Sequence, residues 1–487
     1  MLKLKEHPVW SATLFLFVAT IAIRYITAEY LDIGGDNAQR WAFADAYLRE
    51  GSLSGMNHHT SRWAIMIPLT LLTGVFGFKP AVYSVLPILA SAIGTVFIYL
   101  TGTRLGGHRL GMVSAALLIV FPVMTQTGSQ LWPSVFQFMF LSIVVYLLVL
   151  WHEKQHLYLL VGAALFCFCI WGSRITAVYL FPGLALLIWL PSREFKPVFI
   201  FFSILAALFV MEWWAFWHIT GSPTGRVGLV SGSAIVNHEV LSIQKYLIRI
   251  IEYKKLKGLL PIFALSVVAA VVLIRSDDKR WSGIAAIYLI YIFLLVYMVG
   301  GFSPIRAATW PSARYWATAA PFGLLLTAKW LLDIGQSRPK VSWSILSLIF
   351  LAFVGFSVKS IPPTNSLSQM NADYAVLSPA LAAGEPIALH WSPWRPNFIE
   401  QRLFDLVGYK RAKGIDRKDV QMFMIRARDR MLAMNLVDKR LVREYRDAPL
   451  LPVGDLEYIY YPPGTDIGTP PAVDLYFDRK NAYAIAR

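Results

Sequence analysis

The sequence predicts a polytopic α-helical membrane protein with about 11 transmembrane helices, surface helices in the first external loop and a small C-terminal α/β domain. Three observations support this fold class. The chain is 56% hydrophobic, only 15% of its residues are charged and its mean hydropathy is +0.53, which is outside the soluble range. Apolar runs long enough to cross a bilayer recur along the first three quarters of the chain. The short loops between these runs alternate in their content of Lys and Arg.

The predicted spans follow the apolar runs and make up a transmembrane domain over residues 1–358. They lie at 9–28, 81–103, 110–124, 134–151, 157–172, 175–190, 197–217, 259–275, 282–300, 313–331 and 341–358. The first span is expected to stay uncleaved, because Arg24 and Tyr25 follow its apolar run without a clear small-x-small cleavage site.

Positively charged loops set the predicted orientation in the membrane. Five short loops are mostly rich in Lys and Arg and are assigned to the cytoplasm: 104–109, 152–156, 193–196, 275–280 and 338–340. With an odd number of spans, the tail over 359–487 then lies outside. We expect Pro68, Gly74 and Gly77 to break a helix over the short apolar run 63–78, and counting this run as a span would invert the pattern. We therefore predict that it lies in the interface or re-enters the membrane, within one external segment over 29–80.

The tail over 359–487 is rich in Pro, Tyr and charged residues and contains no spanning run. Its periodicity predicts a helix over Asp416–Arg446 and a strand over Leu456–Tyr461, and hence an extracytoplasmic α/β domain. The net charge of +16 is not a nucleic-acid signature, because no basic run is interleaved with aromatic residues. We attribute it to cytoplasmic anchoring and to contacts with an anionic lipid.

The first external loop carries the strongest candidate for chemistry. Gly34 and Gly35 break the first span, and Asp36 can cap a surface helix that begins at Asn37. A carboxylate held at the outer boundary of the bilayer can remove a proton from an acceptor hydroxyl. The alternative is that Asp36 only caps the helix.

The run GGDNAQRWAFADAYLREGSL resembles the first external loop of the polyprenyl-phosphate-sugar transferases of the C-type glycosyltransferase fold. That family includes protein O-mannosyltransferases and lipid A aminoarabinose transferases. The resemblance extends over roughly residues 9–335, through His58-His59-Thr60-Ser61-Arg62, Phe76-Gly77 and Arg314-Tyr315 with Pro321. It implies that Asp36 is the catalytic aspartate. Asn37 stands where the family usually has Glu, and this departure puts a metal role for the pair in doubt.

The resemblance implies transfer of a sugar from a polyprenyl-phosphate donor to an envelope acceptor at the outer face of the bacterial inner membrane. The acceptor would be lipopolysaccharide or its lipid A, another glycan or a protein. Arginine binds phosphate through a planar fork, so external arginines are candidate donor ligands. The predicted substrate-binding residues are Asn37, His58, His59, Arg62, Arg306, Arg314 and Tyr315.

Arg314 is the strongest of these candidates, because it is expected to start the helix over 313–331 at the outer headgroup level. Its alternative role is snorkelling to phospholipid headgroups, and the histidines are alternatively plain loop residues. Arg174 and Arg226 are further external arginines, and Glu212 is expected to be an interfacial polar residue. The Gly-rich stretch Ser222–Gly232 suits a mobile lid.

No cofactor is predicted, and a divalent metal near Asp36 and His58 has only weak support. Two other classes of function remain open. One is an envelope enzyme of the O-antigen polymerase or ligase type, although those proteins put their large loop late in the chain. The other is a lipid-linked-sugar transporter or flippase, which is disfavoured because no internal repeat is visible and charged residues in mid-membrane are almost absent.

Overall fold

The computed structural model describes residues 7–28, 56–77, 80–234, 259–302, 305–307 and 313–359. It also describes isolated positions between 37 and 53, Ser242 and five short strands of the tail. The chain divides into two compact units. The first unit comprises residues 1–28, 53–67 and 86–361, and the second comprises residues 29–52, 68–85 and 362–487.

Helices account for most of the described residues. They are α1 His7–Ile26, α2 Trp63–Phe76, α3 Pro80–Gly106, α4 His108–Ile119, α5 Pro122–Thr127, α6 Pro133–Lys154, α7 Leu157–Ser173, a 3-10 helix Ile175–Leu180, α8 Phe181–Ser192, α9 Phe195–Thr220, α10 Gly225–Ala234, α11 Leu260–Leu273, α12 Lys279–Tyr297, α13 Ala313–Trp316, α14 Ala320–Ser337 and α15 Pro339–Lys359.

Short antiparallel sheets complete the described secondary structure. β1 (Val299–Phe302) and β2 (Ile305–Ala307) form a hairpin after α12. In the tail, β3 (Met422–Arg426), β4 (Leu450–Val453) and β5 (Leu456–Tyr460) form a sheet in the order β3-β5-β4. β6 (Tyr476–Asp478) pairs with β7 (Asn481–Tyr483).

Seven helices among the described residues are long and apolar enough to cross a membrane. They cover Val9–Ile26, Ala81–Gly106, Pro133–Lys154, Ile175–Ser192, Phe195–Thr220, Lys279–Tyr297 and Pro339–Val358. Four shorter apolar helices accompany them: α2, α4, α7 and α11. The chain is therefore a mostly helical, multi-pass membrane protein. Helices lie at each of the predicted spans, but the total of 11 spans remains a prediction.

Helix packing in the first unit relies on glycine where two backbones approach closely. A Cβ atom on Gly183 of α8 would lie 2.5 Å from Ile287 Cα of α12. Conversely, a Cβ atom on Gly283 of α12 would lie 2.6 Å from Leu187 Cα of α8. Small residues at such crossings let apolar helices gain van der Waals contact without help from the hydrophobic effect. The pair α8 and α12 is one wall of the buried core.

Three predictions about local structure are wrong. Pro68 does not break α2, which continues to Phe76 and ends before Gly77, where φ is +80°. The predicted helix over 313–331 is two helices, because α14 begins at Ala320 with Pro321 in its first turn. Arg314 therefore lies in the four-residue helix α13 rather than at the start of a long helix.

The third error concerns the tail. Strand β3 replaces the helix that periodicity predicts over Met422–Arg426, since pairing with β5 outweighs the local pattern. The predicted strand Leu456–Tyr461 is confirmed over Leu456–Tyr460. The α/β class of the tail as a whole remains a prediction. Most of the stretch Ser222–Gly232, which was expected to suit a mobile lid, belongs to α10.

Candidate functional site

Two arginines and a tyrosine from separate parts of the first unit meet in one cluster. α7 ends at Ser173, and the extended backbone of Arg174 (φ −168°, ψ 136°) redirects the chain into the 3-10 helix. The Arg174 Cζ atom lies 3.7 Å from the centre of the Tyr315 ring. From α13, the Arg314 Cζ atom lies 3.9 Å from the Trp132 ring centre and 5.3 Å from that of Tyr315. We call Arg174, Tyr315, Arg314 and Trp132 the arginine–tyrosine cluster.

Buried polar groups of neighbouring helices hold the backbone of this cluster in place. The Gln137 side chain of α6 donates a hydrogen bond to the carbonyl oxygen of Arg174 at 3.4 Å. Gln137 in turn accepts a hydrogen bond of 3.1 Å from the Thr318 hydroxyl. The Tyr291 hydroxyl of α12 donates to the carbonyl oxygen of Tyr315 at 3.1 Å. The cluster is thus fixed from two helices that the sequence alone does not connect to it.

The electrostatics of the cluster favour negative charge. Burial by itself would raise the pKa of Tyr315, but Arg174 and Arg314 lower it to about 7 through their positive charge and their hydrogen bonds to the phenol. The Arg314 Nε–H is buried and has no hydrogen-bond partner among the residues that the structure describes. A buried donor of this kind on a cation suits an anionic ligand.

The predicted residues of the first external loop fall in two places. Asp36, the predicted catalytic residue, lies outside the described residues. Asn37 is buried in the second unit, where its side-chain oxygen accepts a 2.8 Å hydrogen bond from Arg40 Nη1.

His58, His59 and Arg62 belong to the first unit. Asn57 Oδ1 accepts hydrogen bonds from the backbone N–H groups of His59 and Thr60, which shapes a tight turn. The His58 and His59 rings lie 3.5 Å apart between centres. Arg62 is the last residue before α2 and is 9% exposed.

Arg306 lies in β2 opposite Gly301, and its side chain is outside the described residues. Within the described part of the chain, no group of three or more His, Cys, Asp and Glu side chains is arranged to hold a metal ion. This observation does not include Asp36, which lies outside the described residues, so it does not test a metal site there. Arg174 was a weaker candidate than Arg314 for binding the donor phosphate, because nothing in the order of the sequence indicates that the end of α7 meets α13.

Comparisons with known proteins agree with this architecture. The family model described as dolichyl-phosphate-mannose-protein mannosyltransferase matches residues 63–217, just under a third of the chain. No curated protein sequence matches the chain.

Two solved structures of one protein share the fold. The crystal structure of ArnT from Cupriavidus metallidurans bound to undecaprenyl phosphate aligns with a TM-score of 0.54 and 11% identity. The alignment covers 92% of this chain and 97% of that one. The apo structure of the same protein aligns with a TM-score of 0.52 and 12% identity, over 92% and 98% of the two chains. The predicted resemblance to the polyprenyl-phosphate-sugar transferases of the C-type glycosyltransferase fold is therefore confirmed.

Proposed function

We propose that this chain is a glycosyltransferase that moves a sugar from a polyprenyl-phosphate donor to an acceptor hydroxyl. The arginine–tyrosine cluster carries the proposal, because two guanidinium groups converge on one partly buried tyrosine at 3.7 and 5.3 Å from its ring centre. Its fold-level support is the likeness to ArnT, whose structure is described with undecaprenyl phosphate bound. In this chain the cluster would bind the donor phosphate.

The reaction is a substitution at the anomeric carbon of the donor sugar. The acceptor oxygen forms a bond to that carbon while its proton passes to the Asp36 carboxylate. The bond between the anomeric carbon and the phosphate oxygen breaks, and the electron pair leaves with the phosphate. Arg174 and Arg314 stabilise the negative charge that grows on this leaving group. The predicted substrate-binding residues Asn37, His58, His59, Arg62 and Arg306 remain hypotheses.

The geometry of Arg314 argues against simple snorkelling to phospholipid headgroups. A snorkelling arginine extends its guanidinium into water, with only its aliphatic stem on the protein. Arg314 instead stacks on Trp132 at 3.9 Å and keeps its Nε–H buried. Such a group is preorganised for a ligand that reaches it from the membrane.

The finer assignments follow from the predicted topology. The acceptor would be lipopolysaccharide or lipid A, another glycan or a protein, on the outer face of a bacterial inner membrane, with the tail extracytoplasmic.

Single cysteines introduced at Ser54 and Pro470 should react with an impermeant thiol reagent from outside. A cysteine at Lys154, in a predicted cytoplasmic loop, should not. The background would replace Cys167 and Cys169 by Ala, and external labelling at Lys154 would contradict the orientation.

One experiment tests the reaction class. The full chain, purified into lipid nanodiscs, is incubated with a panel of undecaprenyl-phosphate sugars and envelope acceptors, and product formation is measured. We expect transfer from at least one donor, with release of undecaprenyl phosphate. A flippase would move the lipid between leaflets of vesicles without transferring its sugar. A polymerase or ligase would instead require a diphosphate-linked oligosaccharide, so these outcomes separate the three classes.

A further inference from the structure

A second buried charge network lies in the first unit, around Glu212 of α9. The carboxylate oxygen Oε1 accepts a 2.6 Å hydrogen bond from Trp63 Nε1 and lies 2.9 Å from Arg226 Nε. The other oxygen, Oε2, accepts a 2.5 Å hydrogen bond from Trp171 Nε1. The side chains of Arg226 and Glu212 are only 2% and 8% exposed. We call Glu212, Arg226, Trp63 and Trp171 the Glu212 network.

The network joins four elements that are distant in the sequence. Trp63 is the first residue of α2, Trp171 belongs to the last turn of α7, and Arg226 lies in the first turn of α10. Arg226 also donates a 2.8 Å hydrogen bond to the carbonyl oxygen of Trp171. The end of α7 is therefore held twice, once through the indole N–H and once through its backbone.

The sequence position of this attachment connects the network to the arginine–tyrosine cluster. Arg174 follows Trp171 by three residues and is the point at which α7 stops. Its guanidinium lies 3.7 Å from the Tyr315 ring centre. A shift or rotation at the end of α7 moves this guanidinium, whereas Arg314 is carried by a different helix.

We infer that Glu212 is a positioning residue that acts through Trp171 to hold Arg174 at the donor phosphate. This inference rests on the proposed function, which makes the arginine–tyrosine cluster the phosphate site. Glu212 was expected from the sequence to be an interfacial polar residue. Its burial and its contacts with Trp63, Trp171 and Arg226 give it a different role.

The N–H groups around Glu212 require two hydrogen-bond acceptors, and a carboxylate provides them. Both oxygens accept N–H groups, and a glutamine has one oxygen and one NH₂ group. In Glu212→Gln, one indole N–H would therefore face another N–H donor, and Arg226 would lose its buried counter-charge. Glu212→Gln thus keeps the shape of the side chain but removes one hydrogen-bond acceptor and the negative charge beside Arg226.

The test compares two glutamate-to-glutamine variants of the full chain in nanodiscs, with undecaprenyl phosphate alone as the probe. Glu212→Gln should weaken binding about tenfold. Glu153→Gln is the matched control, because Glu153 is also paired with arginine, with Arg104 at 3.4 Å and Arg280 at 3.2 Å, but at the exposed end of α6. Its affinity for undecaprenyl phosphate should match that of the wild type.

A double-mutant cycle separates positioning from general destabilisation. If Glu212 acts through Arg174, Glu212→Gln should cause little further loss of affinity in an Arg174→Ala background. A second tenfold loss in that background, or wild-type binding in Glu212→Gln alone, would overturn the inference. If Glu212→Gln does not fold, Trp171→Phe removes one indole N–H donor and keeps an aromatic ring at this position, and should weaken binding severalfold in the same cycle.

A ligand-independent measurement distinguishes failure of the inference from failure of the proposed function. Backbone amide exchange over residues 174–180 should be faster in Glu212→Gln than in the wild type and unchanged in Glu153→Gln. Unchanged exchange in Glu212→Gln would overturn the positioning role whatever the ligand is. A wild-type chain that binds no undecaprenyl phosphate, together with faster exchange in the variant, would overturn the proposed function alone.

Discussion

Two arginines of the same unit, Arg226 and Arg314, are accommodated in different ways. Arg226 lies beside the carboxylate of Glu212, with Nε at 2.9 Å from Oε1. Burial lowers the pKa of Arg226, and the Glu212 charge and hydrogen bond oppose that effect. Arg314 instead stacks on Trp132 and Tyr315, and no carboxylate pairs with it within the described part of the chain.

The difference separates a structural cation from a binding cation. In a buried ion pair the two charges neutralise each other. The free-energy cost of their desolvation arises during folding, and no net charge remains to attract a ligand. An aromatic face attracts a guanidinium more weakly and does not neutralise it. The arginine–tyrosine cluster therefore keeps a positive field into which a phosphate can bind. Substitutions in the two regions should differ in whether they change stability, donor affinity or the chemical step.

The largest effect is expected at Asp36, which should carry the chemical step and not the binding of donor. Asp36→Asn keeps the shape and capping ability of the side chain but cannot take the acceptor proton. We expect transfer to be abolished while undecaprenyl phosphate binds as in the wild type. Asp45→Asn, later in the predicted surface helix, is the control and should retain activity. A tenth or more of wild-type activity in Asp36→Asn would leave Asp36 with a capping role only.

The next largest effect is expected at Arg314, where binding and chemistry should fall together. Charge-assisted hydrogen bonds contribute about 1.5 to 3 kcal/mol each, so Arg314→Ala should lower donor affinity at least about tenfold. Arg314→Lys keeps the charge without the planar fork and should lie between alanine and wild type. Both are measured as the dissociation constant of undecaprenyl phosphate and as kcat/KM for the donor.

Arg109 provides a matched control for this prediction. Its Cζ atom lies 4.5 Å from the Trp343 ring centre, so it is also an arginine stacked on tryptophan, but it is in a predicted cytoplasmic loop. Arg109→Ala should leave donor affinity unchanged. Equal losses in the two alanine variants would mean that stacked arginines stabilise the fold in general, and the phosphate site would move to Arg62 or Arg306.

The sequence predicts the membrane helices of this protein better than it predicts where each helix ends. Apolar run length and loop charge predict the membrane class and where helices lie, because bilayer thickness imposes a length that each run must meet. The same rules predicted one helix over 313–331, because the run is predominantly apolar throughout. They could not predict that a four-residue helix ends at Trp316 and that a second helix begins at Ala320. The position of Arg314 on a short helix depended on this break.

The candidate site was predictable only in part. Arg314 and Tyr315 were predicted from a family resemblance, and both lie in the cluster that we propose as the site. Arg174 and Glu212 were seen as an external arginine and an interfacial carboxylate, without their partners. Their roles depend on contacts across long stretches of sequence, such as Glu212 with Trp63, which no local pattern encodes.

A smaller effect is expected from the titration of Tyr315, whose pKa is about 7 because Arg174 and Arg314 offset the effect of burial. Above that pH the phenol becomes an anion between the two guanidinium groups and competes with the donor phosphate. The phosphodiester of the donor does not change its charge in this range. The donor KM of the wild type should therefore rise severalfold from pH 6 to pH 8.

Tyr315→Phe removes the titrating hydroxyl and keeps the ring on which Arg174 stacks. Its donor KM should be flat across the same pH range, measured at saturating acceptor. If the wild type and the phenylalanine variant show the same rise in KM, another group controls the pH dependence and the phenol has only a packing role.

The smallest effect on the reaction is expected at Arg24, a third arginine, which is fully buried. Its Nε donates to Ser91 Oγ at 3.0 Å, and its Nη1 and Nη2 donate to the carbonyl oxygens of Ile119 and Leu118 at 2.8 and 3.2 Å. These carbonyls end α4, where a cation also opposes the negative end of the helix dipole. Arg24 is thus held by neutral acceptors and serves the fold.

Arg24→Met keeps much of the side-chain length and leaves the Ile119 carbonyl oxygen without this donor. A buried acceptor that loses its partner costs about 1 to 3 kcal/mol, so thermal unfolding in detergent should begin several degrees lower. Arg104→Met is the control, because Arg104 is 46% exposed in its ion pair with Glu153 and such pairs contribute little. The donor KM of folded Arg24→Met should equal that of the wild type. A rise in KM as large as that of Arg314→Ala would remove the distinction between arginines that hold the fold and arginines that hold the donor.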